Sequence, residues 1–274
     1  MAAPDAGGPD PARLSLNTVT VRKQWDLAQA IEGCARHGIR GISPWRDQVA
    51  ALGLKEAGRR IRSHGLAVTG LCRGGFFTAP DFRDDNLRAI EEAHTLGAQC
   101  LVLVVGGLLP GSRDLASSRA RVHEGLAAIL PAARQAGVAL AIEPLHPMQA
   151  AERACVNTLE QALDLCDLLG EGTGVAVDVY HTWWDPKLAQ QIARAGRHRL
   201  LGYHICDWLV PTRDLLNDRG MMGDGVIDLP RIRGWMEGAG YAGFHEVEIF
   251  SDHWWQADPD EVMKICTERH KSHS

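Results

Sequence analysis

The sequence has no apolar run of membrane-spanning length: its longest, Cys100 to Val105, falls far short of the roughly 18 to 20 residues a bilayer helix needs. No signal peptide is expected either. The opening MAAPDAGGPDPAR has neither a basic start nor an apolar stretch, and its Ala, Gly, Pro and Asp content reads as a flexible leader over residues 1–13. The seven cysteines, at 34, 72, 100, 155, 166, 206 and 266, include no CxxC pair, and they sit mostly inside apolar runs. That excludes a disulfide framework and predicts buried reduced thiols in a cytoplasmic protein. There is no basic excess, with 29 Lys and Arg against 34 Asp and Glu and a formal charge of −5. A surface that tracks nucleic-acid phosphates is therefore not expected, and a small molecule is the expected partner. No P-loop, serine nucleophile elbow or dinucleotide fingerprint occurs, and no low-complexity linker interrupts residues 14 to 268, so residues 14–274 are read as one domain.

What is present is a repeat of short β-rich segments, each followed by a stretch of helical spacing. Eight such strands are centred on Leu14 to Val19, Gly41 to Trp45, Ala67 to Cys72, Cys100 to Val105, Ala139 to Pro144, Gly174 to Tyr180, Leu201 to Cys206 and Phe244 to Phe250. Leu27, Ile31 and Cys34 share one helical face, as do Leu159, Ala162, Leu163, Cys166 and Leu169. Glycine follows the last apolar residue in ARHGI, RSHGL, HTLGA, RQAGV and GAGYAG, the position where a left-handed cap ends a helix. The pattern predicts an α/β fold of the (β/α)8 TIM-barrel class. An open doubly wound sheet would show fewer strands and a Gly-rich turn after the first, where this chain has NTVTVRKQW.

In such a barrel the active site forms at the C-terminal ends of the strands. The last four candidates all carry polar residues there: Glu143 in ALAIEPLHP, Asp178 in VAVDVYHTWWD, His204 in GYHICDW, and Glu246 and Glu248 in HEVEIFS. A charged group inside an apolar strand is costly unless paired or bound to a metal. Two Glu, one Asp and one His on consecutive strands converge at one rim, and clustered carboxylates call for a neutralising cation. Three oxygen donors and one imidazole suit Mn2+ best, with Mg2+, Co2+ or Zn2+ as alternatives.

The segments IEPLHP, DVYHTWWDP, GYHICDW, RGMMGDGVID and GYAGFHEVEIFS resemble the signature segments of the sugar phosphate isomerase/epimerase family. This is the xylose-isomerase-like barrel group, which includes ketose 3-epimerases, inosose isomerases and dehydratases, and endonuclease IV. The resemblance covers almost the whole barrel and implies that Glu143, Asp178, His204 and Glu248 are the metal ligands, with Glu248 rather than Glu246 in the VEIF position. It implies further that His181 and Arg219 contact substrate oxygens, and that Glu143 and Glu248 move a proton at a carbon next to a carbonyl, through an enediolate. One departure stands out: where the epimerases place another carboxylate, about six residues after the first ligand, this chain has Gln149, and His146 in EPLHP is a candidate acid or base. Trp45, Trp183, Trp184, Trp208, Trp254 and Trp255 follow strand ends, where an indole can stack on a sugar or aglycone; Trp45 is taken as substrate-binding.

The leading expectation is thus a metal-dependent isomerase or epimerase of a keto sugar or keto-polyol. The alternative is a lyase or hydratase acting on 3-keto sugars or 3-keto glycosides, drawing on His146 and the aromatic rim. A homo-oligomer, or a hetero-oligomer with a smaller subunit, would be compatible with either. Endonuclease IV-like DNA repair is set aside because the second to fourth strands end SPW, CRGG and VVGG, without its further histidines. With Arg219 and Arg73 as scattered cationic candidates, a non-phosphorylated substrate is expected.

Overall fold

The computed structural model describes residues 8–274, so the first seven residues of the expected leader lie outside the described part. Residues 11–13 form a 3-10 turn capped by the Asp10 side chain. The barrel strands are β1 (Leu14–Asn17), β2 (Gly41–Ser43), β3 (Ala67–Val68), β4 (Leu71–Gly75), β5 (Cys100–Val104), β6 (Ala139–Ile142), β7 (Thr173–Asp178) and β8 (Leu200–Ile205). After them come β9 (Asp207–Trp208) and β10 (Arg219–Gly220), a small antiparallel pair, and the last barrel strand β11 (His245–Val247). Among the described residues the nine barrel strands are all parallel and run in the order β3-β2-β1-β11-β8-β7-β6-β5-β4.

The nine strands come from a correction to the sequence reading: the third strand is broken. Its first half pairs with β2 and its second with β5, and the Gly70 carbonyl between them accepts from the side-chain hydroxyl of Ser43 on β2 at 3.1 Å. The seam is nonetheless held, because the Thr69 amide donates to Ile42 O and the Gln99 amide to Val68 O, each at 3.0 Å. β4 also runs past the expected end at Cys72, and its register shifts between Cys72 and Gly74. Two other strands stop early because a side chain caps the backbone. Asn17 accepts from the Val19 amide and starts a 3-10 turn over Thr18–Val21, and Asp178 accepts from Tyr180 and starts a helical turn over Val179–Thr182.

Helices cover the barrel through their apolar stripes. Leu27, Ile31, Cys34, Leu159, Ala162, Leu163 and Cys166 are all buried, while Leu169 is only half-buried. Each fully buried Leu or Ile side chain contributes on the order of 1.5–3 kcal/mol. All five expected glycine stops are seen, with Gly38, Gly65, Gly97, Gly137 and Gly240 at positive φ between 68° and 93°. All seven cysteines are buried and unpaired.

Strand alternation then decides what faces the barrel axis. On β6, Leu140 and Ile142 pack under the helices while Ala141 lies in the inner cluster, so Glu143 continues the inward series. The same count runs through Val175, Ala176, Val177 and Asp178 on β7, through Tyr203, His204 and Ile205 on β8, and through Glu246, Val247, Glu248 and Ile249 from β11 onward. A slip of one residue in any of these strands would bury its charge under the helices instead.

Candidate functional site

Glu143, Asp178, His204 and Glu248 meet at the C-terminal rim, all of them buried, and one ligand atom from each lies within 4.8 Å of the other three. His204 Nδ1 is 2.9 Å from Glu143 Oε1 and 3.7 Å from Glu248 Oε2. Neither Nδ1 nor Glu143 Oε1 makes an aligned hydrogen bond. Two buried polar atoms facing a common point without bonding each other fit a cation between them. The donor set of three carboxylates and one imidazole suits a divalent ion.

Electrostatics in the cluster follow from burial and crowding. Burial, together with Glu143 and Asp178 nearby, pushes the Glu248 carboxyl up to about 8 against the pull of Arg219 and His204. Burial would also raise Asp178, but Arg219 and the two imidazoles outweigh it and hold it at about 2. His204 resists burial in the opposite sense, since Glu246 and Glu143 keep it cationic. A divalent ion would take over this neutralising role.

A ring of residues holds the donors in place. Asn17 donates to Glu246 at 2.8 Å and to Glu248 at 3.0 Å, and its own carbonyl accepts from Trp45 Nε1 at 2.7 Å. Thr69 donates to the second oxygen of Glu246 at 2.8 Å. Glu246 is therefore occupied, which explains why Glu248 and not Glu246 joins the cluster. Asn17 and Thr69 were not singled out from sequence; the available signal was polar residues at the ends of apolar strands. Below this layer the axis is filled by Ala141, Ala176 and Gly202, where a Cβ on the glycine would stand 3.3 Å from His204 Nε2.

Arg219 enters from β10, with its Nη1 donating to Asp178 at 2.9 Å and Glu248 at 3.0 Å and its guanidinium 4.5 Å over Tyr180. The RGMMGDG loop that carries it is tied down by buried Asp207, which accepts from the Gly223, Gly225 and Ile227 amides at 2.8–3.0 Å. His181 Nδ1 accepts from the His146 amide at 3.2 Å, while its Nε2 stands 3.2 Å from Arg219 Nη2, a donor-only group, and 3.7 Å from Asp178. Burial drives this imidazole down to about 3, so it is neutral. Both residues line a cleft of about 490 Å³, its open mouth included, together with Trp45, Glu143, Glu248 and Phe250.

Eight side chains were assigned to the site from sequence, and seven converge here. His146 does not: its ring stacks on Trp208 with centroids 5.3 Å apart, meets Trp184 edge-on, and its Nδ1 accepts from the Met148 amide. It orders the loop beside the cleft. Of the six tryptophans, only Trp45 lines the cleft, while Trp208 stacks on Tyr180 and Trp255 donates to Val19 O. Three lining residues gained weight only in three dimensions: Arg73, Gln149 and Arg153.

The profile of the xylose isomerase-like TIM barrel family matches residues 31–268. The chain belongs to that family. Within this barrel family, the inosose isomerase of Bacillus velezensis is 25% identical over 277 residues, covering 93% of this chain and 95% of that protein. The crystal structure of protein SMc04130 from Sinorhizobium meliloti 1021 is 61% identical, with a TM-score of 0.94 over 96% of this chain and 99% of that one. A structure of IolI protein with a bound zinc atom matches at a TM-score of 0.80 and 20% identity, covering 94% of this chain and 96% of that one, a likeness of fold.

Proposed function

We propose that the protein is a divalent-metal-dependent isomerase or epimerase that moves a proton at the carbon beside the carbonyl of a keto sugar or keto-polyol. One observation carries the reading: four donors from successive inward-facing strand positions converge within 4.8 Å at the floor of a cleft lined by Arg219, His181 and Trp45. Kinship with an inosose isomerase supports the substrate class, and the zinc in the IolI structure supports a metal. Glu143, Asp178, His204 and Glu248 would hold the ion, Mn2+ by donor type, and when bound it would polarise the substrate carbonyl and lower the barrier to losing the adjacent proton.

The chain's own residues supply the rest. Glu143 and Glu248 reach the cleft from β6 and from beyond β11, with β7 and β8 between them, so one carboxylate can take a proton and the other return one. Neutral His181 and the Arg219 guanidinium both line the cleft, where they can hydrogen-bond substrate hydroxyl or carbonyl oxygens. Trp45, fixed through Nε1 by Asn17, offers an apolar face for a sugar's C–H groups. Elimination from 3-keto sugars or 3-keto glycosides would begin with the same proton abstraction, but His146 and Trp208, on which it leaned, pack against each other outside the cleft. Residues 14–274 act as one catalytic unit in this reading, and seven reduced cysteines fit a cytoplasmic setting.

The test is incubation of the manganese-loaded protein with ketohexoses, inososes and 3-keto sugars in heavy water. Deuterium should enter the carbon beside the carbonyl of the true substrate or its product. Product that carries no solvent deuterium there would overturn the proton-transfer reading in favour of a hydride shift.

A further inference from the structure

We propose that Arg73 and Arg153 form an anion-binding subsite in the wall of the cleft, so that the substrate carries a phosphate or carboxylate group. This deepens the keto-sugar reading and rests on it for the identity of the rest of the ligand. From sequence, the two arginines are far apart and a non-phosphorylated substrate is expected. The fold brings both to one cleft, with Gln149 beside them.

Each arginine is placed by the backbone rather than by a partner charge. Arg73 sits where the register of β4 shifts between Cys72 and Gly74, the kind of irregularity that re-aims a side chain. Arg153 lies in the loop after β6, pinned by its amide to Gln149 O at 3.0 Å and by its carbonyl, which accepts from the Gly106 amide at 2.9 Å. The Arg73 guanidinium lies 4.3 Å over Phe76 and 5.7 Å over Trp45, which fixes its plane while leaving its edge free.

Both are unusual for part-buried arginines of this protein. Arg46 engages Asp85 at 2.9 Å and Glu92 at 2.5 Å, and Arg219 engages Asp178 and Glu248. Arg73 and Arg153 make no ion pair and no side-chain hydrogen bond among the described residues, and Arg73 Nε is buried with no partner. Burial and Arg153 pull the Arg73 pKa down, and burial and Arg219 pull that of Arg153 down, while Glu143 and Glu248 act more weakly in the opposite sense and both guanidinium groups stay cationic. Part-buried cations that share a cleft with no carboxylate in contact carry a desolvation cost, and an anion supplied by the ligand reduces it. The planar guanidinium edge matches the oxygens of a phosphate or carboxylate, two at a time.

Calorimetric titration of the purified protein with inorganic phosphate, and separately with glucuronate, tests this. Binding of at least one probe is expected. Its affinity should fall at least about tenfold in Arg73→Gln and in Arg153→Gln, the loss of one charge-assisted contact, and stay unchanged in the exposed Arg113→Gln. Phosphate alone bound would assign a phosphate ester; glucuronate alone, a sugar acid. Failure of the wild-type protein to bind either probe, or equal binding by the two cleft variants, overturns the subsite. Since wild-type binding needs no variant to fold, the first of these holds whatever the variants do. Deuterium exchange into a neutral keto sugar without anion binding would remove the subsite and keep the isomerase reading. Phosphate bound through both arginines, with no exchange into any keto sugar, would do the reverse.

Discussion

The last barrel strand shows the contrast between the two ends of the molecule within four residues. At its lower end His245 is fully buried and meets His270 of the C-terminal helix at 3.0 Å, and burial holds the two imidazoles down at about 3 and about 4, both neutral. At its upper end Glu246 and Glu248 are just as deep, yet they stand among carboxylates, an imidazole and a guanidinium. The same burial is met below by giving up charge and above by gathering opposite charges. In a barrel the lower end serves stability and the upper end chemistry. The upper arrangement is therefore expected to cost stability that the lower one supplies.

The sharpest way to break this comparison is Glu248→Gln. The variant should lose at least about 10²-fold of deuterium exchange with a true substrate, the lower end of what general acid–base catalysis contributes. In the absence of added metal its melting temperature should match or exceed that of the wild-type protein, because one of several crowded carboxylates is gone while the single amide oxygen can still accept from Arg219, with only the Asn17 contact to the other oxygen lost. A large drop in melting temperature would show that the upper cluster is structural.

The upper cluster was legible in sequence because strand period 2 and apolar neighbours fix the direction of a polar residue. Glu143 follows Ala139 and Ala141 inward, and Asp178 follows Ala176, with no need of tertiary information. The glycine stops were legible for the same local reason. The break in the third strand was not, since it depends on Ser43 reaching Gly70 O across strands. Nor was the meeting of Arg73 with Arg153, which depends on a register shift and on a loop. The packing of His146 was not legible either, because its place in EPLHP fixes only its distance along the chain from Glu143. The direction of its ring is set by Trp208, which arrives from another strand end.

Replacing Asn17 by Ala sharpens the comparison from the supporting layer. Asn17 touches two carboxylates of the upper end but lines no part of the cleft, so the expected effect is weaker manganese binding, by about 10–100-fold, as for other residues that orient metal ligands. Turnover should recover largely at saturating metal. Unchanged metal affinity would remove Asn17 from that role.

At the lower end the test is pH. The charged groups acting on the pair are Arg13, Arg233 and Lys271, which disfavour protonation, and Asp10, which favours it. Both folded-state values lie below the ordinary histidine value of about 6.5. Above that pH neither state binds the protons and the pair has no effect on stability. As pH falls from about 6.5 toward 4 the unfolded chain takes up protons that the folded one refuses, and stability falls by up to about 1.4 kcal/mol per pH unit for each histidine. Urea unfolding across this range should show a shallower slope for His270→Gln than for the wild-type protein; equal slopes would mean that the pair titrates alike in both states.

The smallest expected effect falls at the boundary between the two regimes, on His146. Its ring is half-buried, stacked on Trp208 and edge-on to Trp184, and its backbone amide, not its imidazole, reaches the site by donating to His181 Nδ1. The side chain accepts from Met148, capping a 3-10 turn, a contact worth about 0.5–2 kcal/mol when a cap is removed. His146→Ala should therefore lower the melting temperature by a few degrees and change turnover by less than about threefold, far below the 10²-fold expected of a general base. The pH profile of turnover should keep its shape, since the imidazole packs on Trp208 outside the cleft and the amide that faces His181 Nδ1 remains. A loss of 10² or more with the metal still bound would return His146 to the chemistry and with it the elimination reading.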